Sequence, residues 1–305
     1  MTITTVGIVG GGTMGQGIAI TCAASGLDVL VSDRTPELAA QCVNAVAEAL
    51  DRDIAKWRRT KAEKKAILAR VKPVDTLAAL SAAHLVIEAV PEDLGVKCGI
   101  FAALDRACPP KDILATNTST LSITEIATHT KRPDRVIGLH FLHPAPLVPL
   151  VEVVRGLATS DETYASTREF VRVLGKTAVE VFEYPGYVTT RVIVPFLNEA
   201  MYVVMEGVAS AEAVDTAMKL GYGLPMGPLA LADRMGLDEL MRWMRYLHDE
   251  LGDMKYRPCP LLRKMIRAGH LGVKSGKGFF EYDENGQMRE AKREAKPETK
   301  REAKR

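Results

Sequence analysis

The stretch Val6-Gly-Ile-Val-Gly10-Gly-Gly-Thr-Met-Gly15, followed by Gln16-Gly-Ile-Ala-Ile-Thr-Cys-Ala-Ala and closing on Val29-Leu-Val-Ser-Asp33, decides the fold. Val6 to Val9 is the short apolar run of a buried strand. Ile18, Ala19, Cys22 and Ala23 recur at helical spacing, Gly26 ends that helix, and Val29 to Asp33 reads as a second strand. Strand, glycine turn, helix and strand in this order form a strand–helix–strand unit. In such a unit Gly10 makes the tight turn, Gly12 lets the backbone approach a pyrophosphate, and Gly15 lets the helix pack closely on the strand. The free N–H groups and positive dipole end of the helix then face the phosphates. Thr13 and Met14 lie in the same turn and are expected against the cofactor. Asp33 stands 18 residues past Gly15, where a carboxylate accepts hydrogen bonds from the adenosine ribose and repels a 2′-phosphate. NAD is therefore expected rather than NADP. Arg34 is placed over the adenine face or in solvent. FAD proteins use the same turn, but no second flavin motif follows.

Outward from this unit, strand patterns recur at residues 84–90, 113–116, 136–141, 150–154 and 177–183, with helical patterns at 36–70, 97–108, 121–128 and 162–175. This alternation predicts an α/β fold: a Rossmann-type, doubly wound, mostly parallel sheet covered by helices. After Tyr184-Pro-Gly186 the pattern is helical at 188–208, 211–219, 228–247 and 258–268, with one strand signal at Gly278–Tyr282. The expected organisation is an NAD-binding Rossmann-type domain over 1–184, a smaller all-α substrate and dimerisation domain over 185–284, and a basic tail over 285–305.

Composition fits an ordinary globular enzyme, with 47% hydrophobic and 26% charged residues. No apolar run is long enough for a membrane-spanning helix, and no secretion signal is expected at the N-terminus. The five cysteines, Cys22, Cys42, Cys98, Cys108 and Cys259, are odd in number and form no CxxC pair, which predicts reduced thiols in a cytoplasmic protein. Residues 289–305 carry eight Lys/Arg against four Glu, a net +4, which leaves −2 of the total +2 for the remainder. A mildly acidic body with a basic tail argues against a nucleic-acid enzyme. The tail has no apolar face and is expected to be disordered or a solvated helix. Gly272-Val-Lys-Ser-Gly-Lys-Gly278 lacks the flanking strand and helix of a phosphate loop.

Seven motifs in order carry a resemblance: GIVGGGTMGQGIA (7–19), VIEAVPEDLGVK (86–97), ATNTSTLSI (115–123), GLHFLHPAPLVPLVEVV (138–154), PGYVTTRVIVPFLNEA (185–200), AMKLGYGLPMGPLALAD (217–233) and LGVKSGKGFFEYD (271–283). Across residues 4–283 the chain resembles the 3-hydroxyacyl-CoA dehydrogenase family. The resemblance implies reversible NAD-dependent oxidation of a (3S)-3-hydroxyacyl-CoA to the 3-oxoacyl-CoA, in a homodimer formed by the helical domain. It implies that His140 is the catalytic base, Glu152 its carboxylate partner, and Ser119 a partner of the reacting oxygen. Glu92 and Lys97 match residues near NAD, with Asn117 on the loop of Ser119. Lys56 matches a lysine near the CoA phosphates, followed here by Trp57-Arg58 where the family commonly has Gly-Lys.

The residues support that chemistry independently. Removing a hydroxyl proton as hydride leaves suits a histidine of near-neutral pKa, and a carboxylate fixes its tautomer and stabilises the charged ring. Thr118, Ser119 and Thr120 also compete as N-cap of the helix that follows. Two positions depart from the family pattern: His143 stands where asparagine is common in HFFNP, and Thr190 where asparagine is common in GFIVNR. Losing a donor to a substrate carbonyl costs about 1–3 kcal/mol unless compensated. His143 can both donate and accept; its HxxH spacing with His140 lacks the further ligands of a metal site. These changes keep two other readings open: the same hydride chemistry on a non-CoA or bulky hydroxy acid, and a non-catalytic NAD-binding sensor or structural protein.

Overall fold

In the computed structural model, residues 2–289 are described; most of the basic tail lies outside them. The chain divides into two compact units, Met1–Arg191 and Val192–Arg305.

The first unit runs β1 (Thr5–Val9), α1 (Thr13–Ala24), β2 (Asp28–Ser32), α2 (Pro36–Ala55), α3 (Lys61–Arg70), β3 (Val71–Pro73), β4 (Leu85–Glu88), α4 (Leu94–Ala107), β5 (Ile113–Thr116), α5 (Ile123–Ala127), β6 (Val136–Phe141), β7 (Leu150–Arg155), α6 (Asp161–Val173) and β8 (Thr177–Phe182). The strands form one sheet in the order β3-β2-β1-β4-β5-β6-β7-β8. Strands β3 through β6 of that order are parallel, β7 is antiparallel to β6, and β8 is parallel to β7. The expected mostly parallel, doubly wound sheet is what the chain forms. Alternate strand residues feed two cores. Ile8, Val31, Ile87, Ala115, Leu139 and Val153 pack with Ile18, Val46 and Phe170 of α1, α2 and α6. Val86, Leu114, Val136 and Val154 face the other way, onto Phe101 and Leu104 of α4 and Ile123 of α5. Burying both faces explains why the strands read as continuous apolar runs.

The reversal of strand order between β1 and β4 opens a crevice at their carboxyl ends, where ligands bind in open α/β sheets. Glu88, Asn117 and His140 stand at or beside the carboxyl ends of β4, β5 and β6. Because β7 runs the opposite way, its early residue Glu152 meets the late residue His140 in direct register.

Two long helical patterns divide. The 36–70 stretch breaks at Trp57 (φ 57°), and α3 restarts on a capping box in which Thr60 accepts from the Glu63 N–H while the Glu63 carboxylate accepts from the Thr60 N–H. The short β3 follows directly, just past the end of the expected helical stretch. In the second unit, α7 (Thr189–Met205) carries Pro195 inside it and enters from the first unit. It is followed by α8 (Ala211–Tyr222), α9 (Pro228–Met235), α10 (Leu237–Leu251) and α11 (Pro260–Arg267). The 228–247 stretch splits into α9 and α10 at Gly236, whose φ of 98° is open to glycine. The strand signal at Gly278–Tyr282 gives isolated bridges, Lys277 to Glu281 and Tyr282 to Met288. Asp233 organises this segment: its carboxylate accepts from the Phe279 and Phe280 N–H groups and the Tyr282 hydroxyl. Among the described residues no helix is long and apolar enough to cross a membrane.

Candidate active site

The glycine turn has the shape its sequence requires. Gly10 adopts φ 101°, and its N–H donates to Ser32 O at 2.9 Å, tying the turn to the end of β2. A Cβ on Gly15 would stand 1.9 Å from Gly10 O, so only glycine lets α1 start this close to β1. A Cβ on Gly12 would meet nothing within 4 Å. The space above Gly12 is therefore open, and no packing demand inside the protein explains that glycine. Gly12 is the N-cap of α1 without a side-chain cap, and the first turn, with Thr13 and Met14, holds no acidic residue. Orphan N–H groups, an open approach and the positive dipole end together suit a pyrophosphate. Asp33 is held beside this turn: its Oδ2 accepts from Gly11 N at 2.7 Å and its Oδ1 from Arg34 N at 2.6 Å. The Arg34 side chain is exposed. These residues fit a dinucleotide with a free ribose diol.

His140 and Glu152 are joined. Nδ1 of the buried imidazole lies 2.7 Å from Glu152 Oε2. With a carboxylate there, Nδ1 carries the proton and Nε2 keeps its lone pair. Glu152 has no exposed surface and receives three further hydrogen bonds: from Val188 N (3.0 Å) and Thr189 N (2.8 Å) to Oε1, and from the Thr189 hydroxyl (2.8 Å) to Oε2. Burial pushes its carboxyl up, but the bond to and charge of His140 and the Thr189 donors outweigh it, holding Glu152 below the usual carboxylate range. Tyr187 packs its ring edge-on to His140 with centroids 5.7 Å apart and donates its hydroxyl to Leu121 O. Its φ of 50°, rare for a side chain of this size, is maintained in a buried setting.

The loop after β5 is held from two sides. Asn117 Oδ1 accepts from Phe141 N at 2.9 Å, which turns its amide nitrogen away from β6. Glu92 Oε1 accepts from the Thr118 hydroxyl (2.5 Å), Ser119 N (3.0 Å), Thr120 N (3.2 Å) and the Thr120 hydroxyl (3.1 Å). Burial raises the Glu92 carboxyl, but the Lys97 ammonium and these donors outweigh it and hold it low. The N-cap of α5 is not Thr118, Ser119 or Thr120. Ser122 takes that place, accepting from Glu125 N, because Ser122-Ile-Thr-Glu125 has the spacing of a cap and the preceding threonines are committed to Glu92. Ser119 thus keeps its hydroxyl out of the helix cap.

Lys97, expected near NAD, is buried. Its ammonium lies 2.7 Å from Glu88 Oε1, 3.2 Å from Val90 O and 3.4 Å from Glu92 Oε2. His143 precedes a cis bond to Pro144, and Thr190 is buried at the start of α7. The hydroxyl that reaches Glu152 is that of Thr189, one residue before Thr190. Lys56, at the end of α2, is exposed, and Trp57 beside it is 96% exposed. An open cleft of about 430 Å³ between α2 and α3 is lined by Asp51, Ile54, Lys61, Lys64, Lys65 and Leu68.

Sequence reasoning missed Glu88, Thr116, Thr189 and Tyr187. Glu88 and Thr116 lie at strand ends inside quoted motifs, but nothing local marks them as partners. Thr189 stood next to Thr190, and the choice between them depends on which side of the α7 N-terminus faces Glu152.

The sequence pattern described as 3-hydroxyacyl-CoA dehydrogenase, NAD binding domain, matches residues 5–184, and the C-terminal domain of the same description matches residues 186–282. A probable 3-hydroxybutyryl-CoA dehydrogenase of Bacillus subtilis is 51% identical over 284 residues, covering 93% of this chain and 99% of the relative. The crystal structure of FadB2 of M. tuberculosis, 42% identical, superposes with a TM-score of 0.90 over 93% of this chain and 100% of the other. That of the (S)-3-hydroxybutyryl-CoA dehydrogenase PaaH1 of Ralstonia eutropha is 45% identical, with a TM-score of 0.86 over 92% of this chain and 100% of the other.

Proposed function

The chain belongs to the 3-hydroxyacyl-CoA dehydrogenase family and is an NAD-dependent oxidoreductase; from that premise we propose that it interconverts 3-hydroxybutyryl-CoA and acetoacetyl-CoA using His140 as the acid–base group. The observation that carries the proposal is the buried 2.7 Å pair of His140 and Glu152. With Nδ1–H given to Glu152, Nε2 takes the substrate hydroxyl proton in the oxidative direction. The positive charge that arrives on the ring faces an already ionised carboxylate. In the reverse direction the imidazolium returns the proton to the substrate oxygen. Ser119, aimed by its clamped backbone, donates a hydrogen bond to that oxygen as its charge grows. NAD, when bound, supplies the hydride acceptor, and NADH the donor. Gly10, Gly12, Thr13, Met14 and Gly15 take its pyrophosphate and Asp33 its adenosine ribose, with Arg34 at the adenine side.

The basic surface of Lys56 and Arg58, with Trp57 exposed beside it, supports contact with the CoA phosphates and adenine. The apolar surface left open on the helical unit by Val208, Leu220 and Tyr222 supports a homodimer, which light scattering of the purified protein tests. All five cysteines are free thiols, which supports a cytoplasmic setting.

The test of the reaction is a rate. Acetoacetyl-CoA with NADH is expected to turn over. Its failure, with turnover of free 3-oxo acids, refutes the CoA assignment and favours the reading that His143 and Thr190 serve a non-CoA hydroxy acid.

A further inference from the structure

Glu88 is a carboxylate with no exposed surface at the end of β4, and the chemistry above makes no use of it. Its Oε1 accepts from Val90 N at 2.6 Å and from Lys97 Nζ at 2.7 Å, and its Oε2 from the Thr116 hydroxyl at 2.7 Å. Its backbone carbonyl accepts from Asn117 N at 2.8 Å. The side chain therefore ties together the carboxyl ends of the adjacent strands β4 and β5 and the first turn of α4. Lys97 passes the tie onward. Its ammonium lies 3.4 Å from Glu92 Oε2, and Glu92 gives its other oxygen to four donors of residues 118–120. One ammonium thus stands between two carboxylates, and the outer carboxylate grips the loop that carries Ser119. Burying such a pair is costly unless its geometry is complete, and here every oxygen of Glu88 and each contact of Lys97 is directed.

We infer that the Glu88–Lys97 ion pair is the positioning device of the reaction: it fixes Glu92, and through Glu92 it sets the backbone from which Ser119 meets the substrate oxygen. The inference rests on the role given above to Ser119. Glu88 and Lys97 are on this view positioning residues, which act on the substrate oxygen through Glu92 and the Ser119 backbone.

The test uses Glu88→Gln/Lys97→Met, which removes both charges at nearly constant volume. The amide oxygen introduced at position 88 keeps the Val90 N–H, and the new NH2 faces the Thr116 hydroxyl, which accepts as well as donates. kcat for acetoacetyl-CoA is expected to fall about tenfold to a hundredfold from a misplaced Ser119, with the Kd for NADH within about threefold of wild type. In a Ser119→Ala background the same pair of changes is expected to cost less than about threefold, because the group being positioned is gone. Amide exchange at Ser119 and Thr120, whose N–H groups donate to Glu92, is expected to quicken at least about tenfold, a readout that needs no substrate. Glu92→Gln, a partly exposed site, serves where the double variant does not fold and is expected to show the same coupling and exchange. Additive costs with Ser119→Ala, or unchanged exchange at Ser119 and Thr120 in a folded variant, overturn the inference. A large rise in the Kd for NADH with unchanged coupling returns Lys97 and Glu92 to the cofactor. Failure of the wild type on acetoacetyl-CoA refutes the function assigned above, while the exchange data still decide the positioning.

Discussion

Replacing Glu152 by Gln tests the acid–base assignment at its most constrained point. The carboxylate accepts four hydrogen bonds and donates none: His140 Nδ1–H and the Thr189 hydroxyl on Oε2, the Val188 and Thr189 N–H groups on Oε1. Glutamine has one oxygen for these two pairs. If its NH2 turns to the backbone, it opposes two N–H donors that cannot rotate or change sign. Leaving buried donors unpaired costs about 1–3 kcal/mol each, so this orientation costs about 2–6 kcal/mol. If the NH2 turns to His140, the ring accepts at Nδ1 and moves its proton to Nε2, while the Thr189 hydroxyl rotates to accept. That second orientation is the less costly, and it removes the base, because the nitrogen that should take the substrate proton already holds one. A kcat loss of roughly 10²–10⁴-fold is expected, which is about 3–5 kcal/mol of barrier. The assay is NADH consumption with acetoacetyl-CoA, accompanied by NADH affinity and a thermal melt. NADH binding is expected to stay within about threefold of wild type, since Glu152 is away from the glycine turn. A kcat within about threefold of wild type refutes the reasoning: His140 would then need neither its carboxylate nor its tautomer.

The glycine turn separates packing from binding. Gly12→Ala places its methyl in open space, so the melting temperature is expected to hold while the Kd for NADH rises at least about tenfold, or about 1.4 kcal/mol; Gly15→Ala, whose Cβ meets Gly10 O at 1.9 Å, is expected to lower the melting temperature itself. Glu152 and Glu92 are held below their unfolded pKa, so the stability they contribute is complete above the ordinary carboxylate range and is lost as pH falls through their lower folded values. Urea melts through the acid range are expected to show that loss in wild type and a shallower one in Glu152→Gln. Trp57→Gly relieves a left-handed φ of 57°, so stability is expected to hold or rise slightly, while KM for acetoacetyl-CoA rises if the indole stacks on CoA; an unchanged KM removes Trp57 from the site.

Much of the fold was legible because its signals are local. The Gly10–Gly15 turn and the buried strand runs need only neighbours in sequence to be read. The two helix breaks were also written locally, as Thr60-Lys-Ala-Glu63 and as Gly236, yet helical periodicity continues across both and hides them. Ser122-Ile-Thr-Glu125 is a similar case: three hydroxyl residues precede it, and only the commitment of Thr118 and Thr120 to Glu92 shows which serine caps α5. The order of β1 through β8 in the sheet was not readable from spacing, because a parallel neighbour is chosen by core packing over long separations.

By itself the sequence determined the cofactor half of this protein. A tight turn, a close backbone approach and a helix start each require glycine at a set spacing, and a carboxylate at the end of the second strand follows from the same geometry. It also supplied His140, Glu152 and Ser119 as candidates, through motifs that resemble a family. Only the tertiary structure decided how they are held. The antiparallel course of β7 beside an otherwise parallel run of strands places Glu152 opposite His140, since directly opposed residues share a face of the sheet. The same folding brings the α7 N-terminus onto that carboxylate and Lys97 between Glu88 and Glu92. Hydrogen bonds act over about 3 Å and demand direction, so partners far apart in the chain are selected by register and helix placement, which local spacing does not encode.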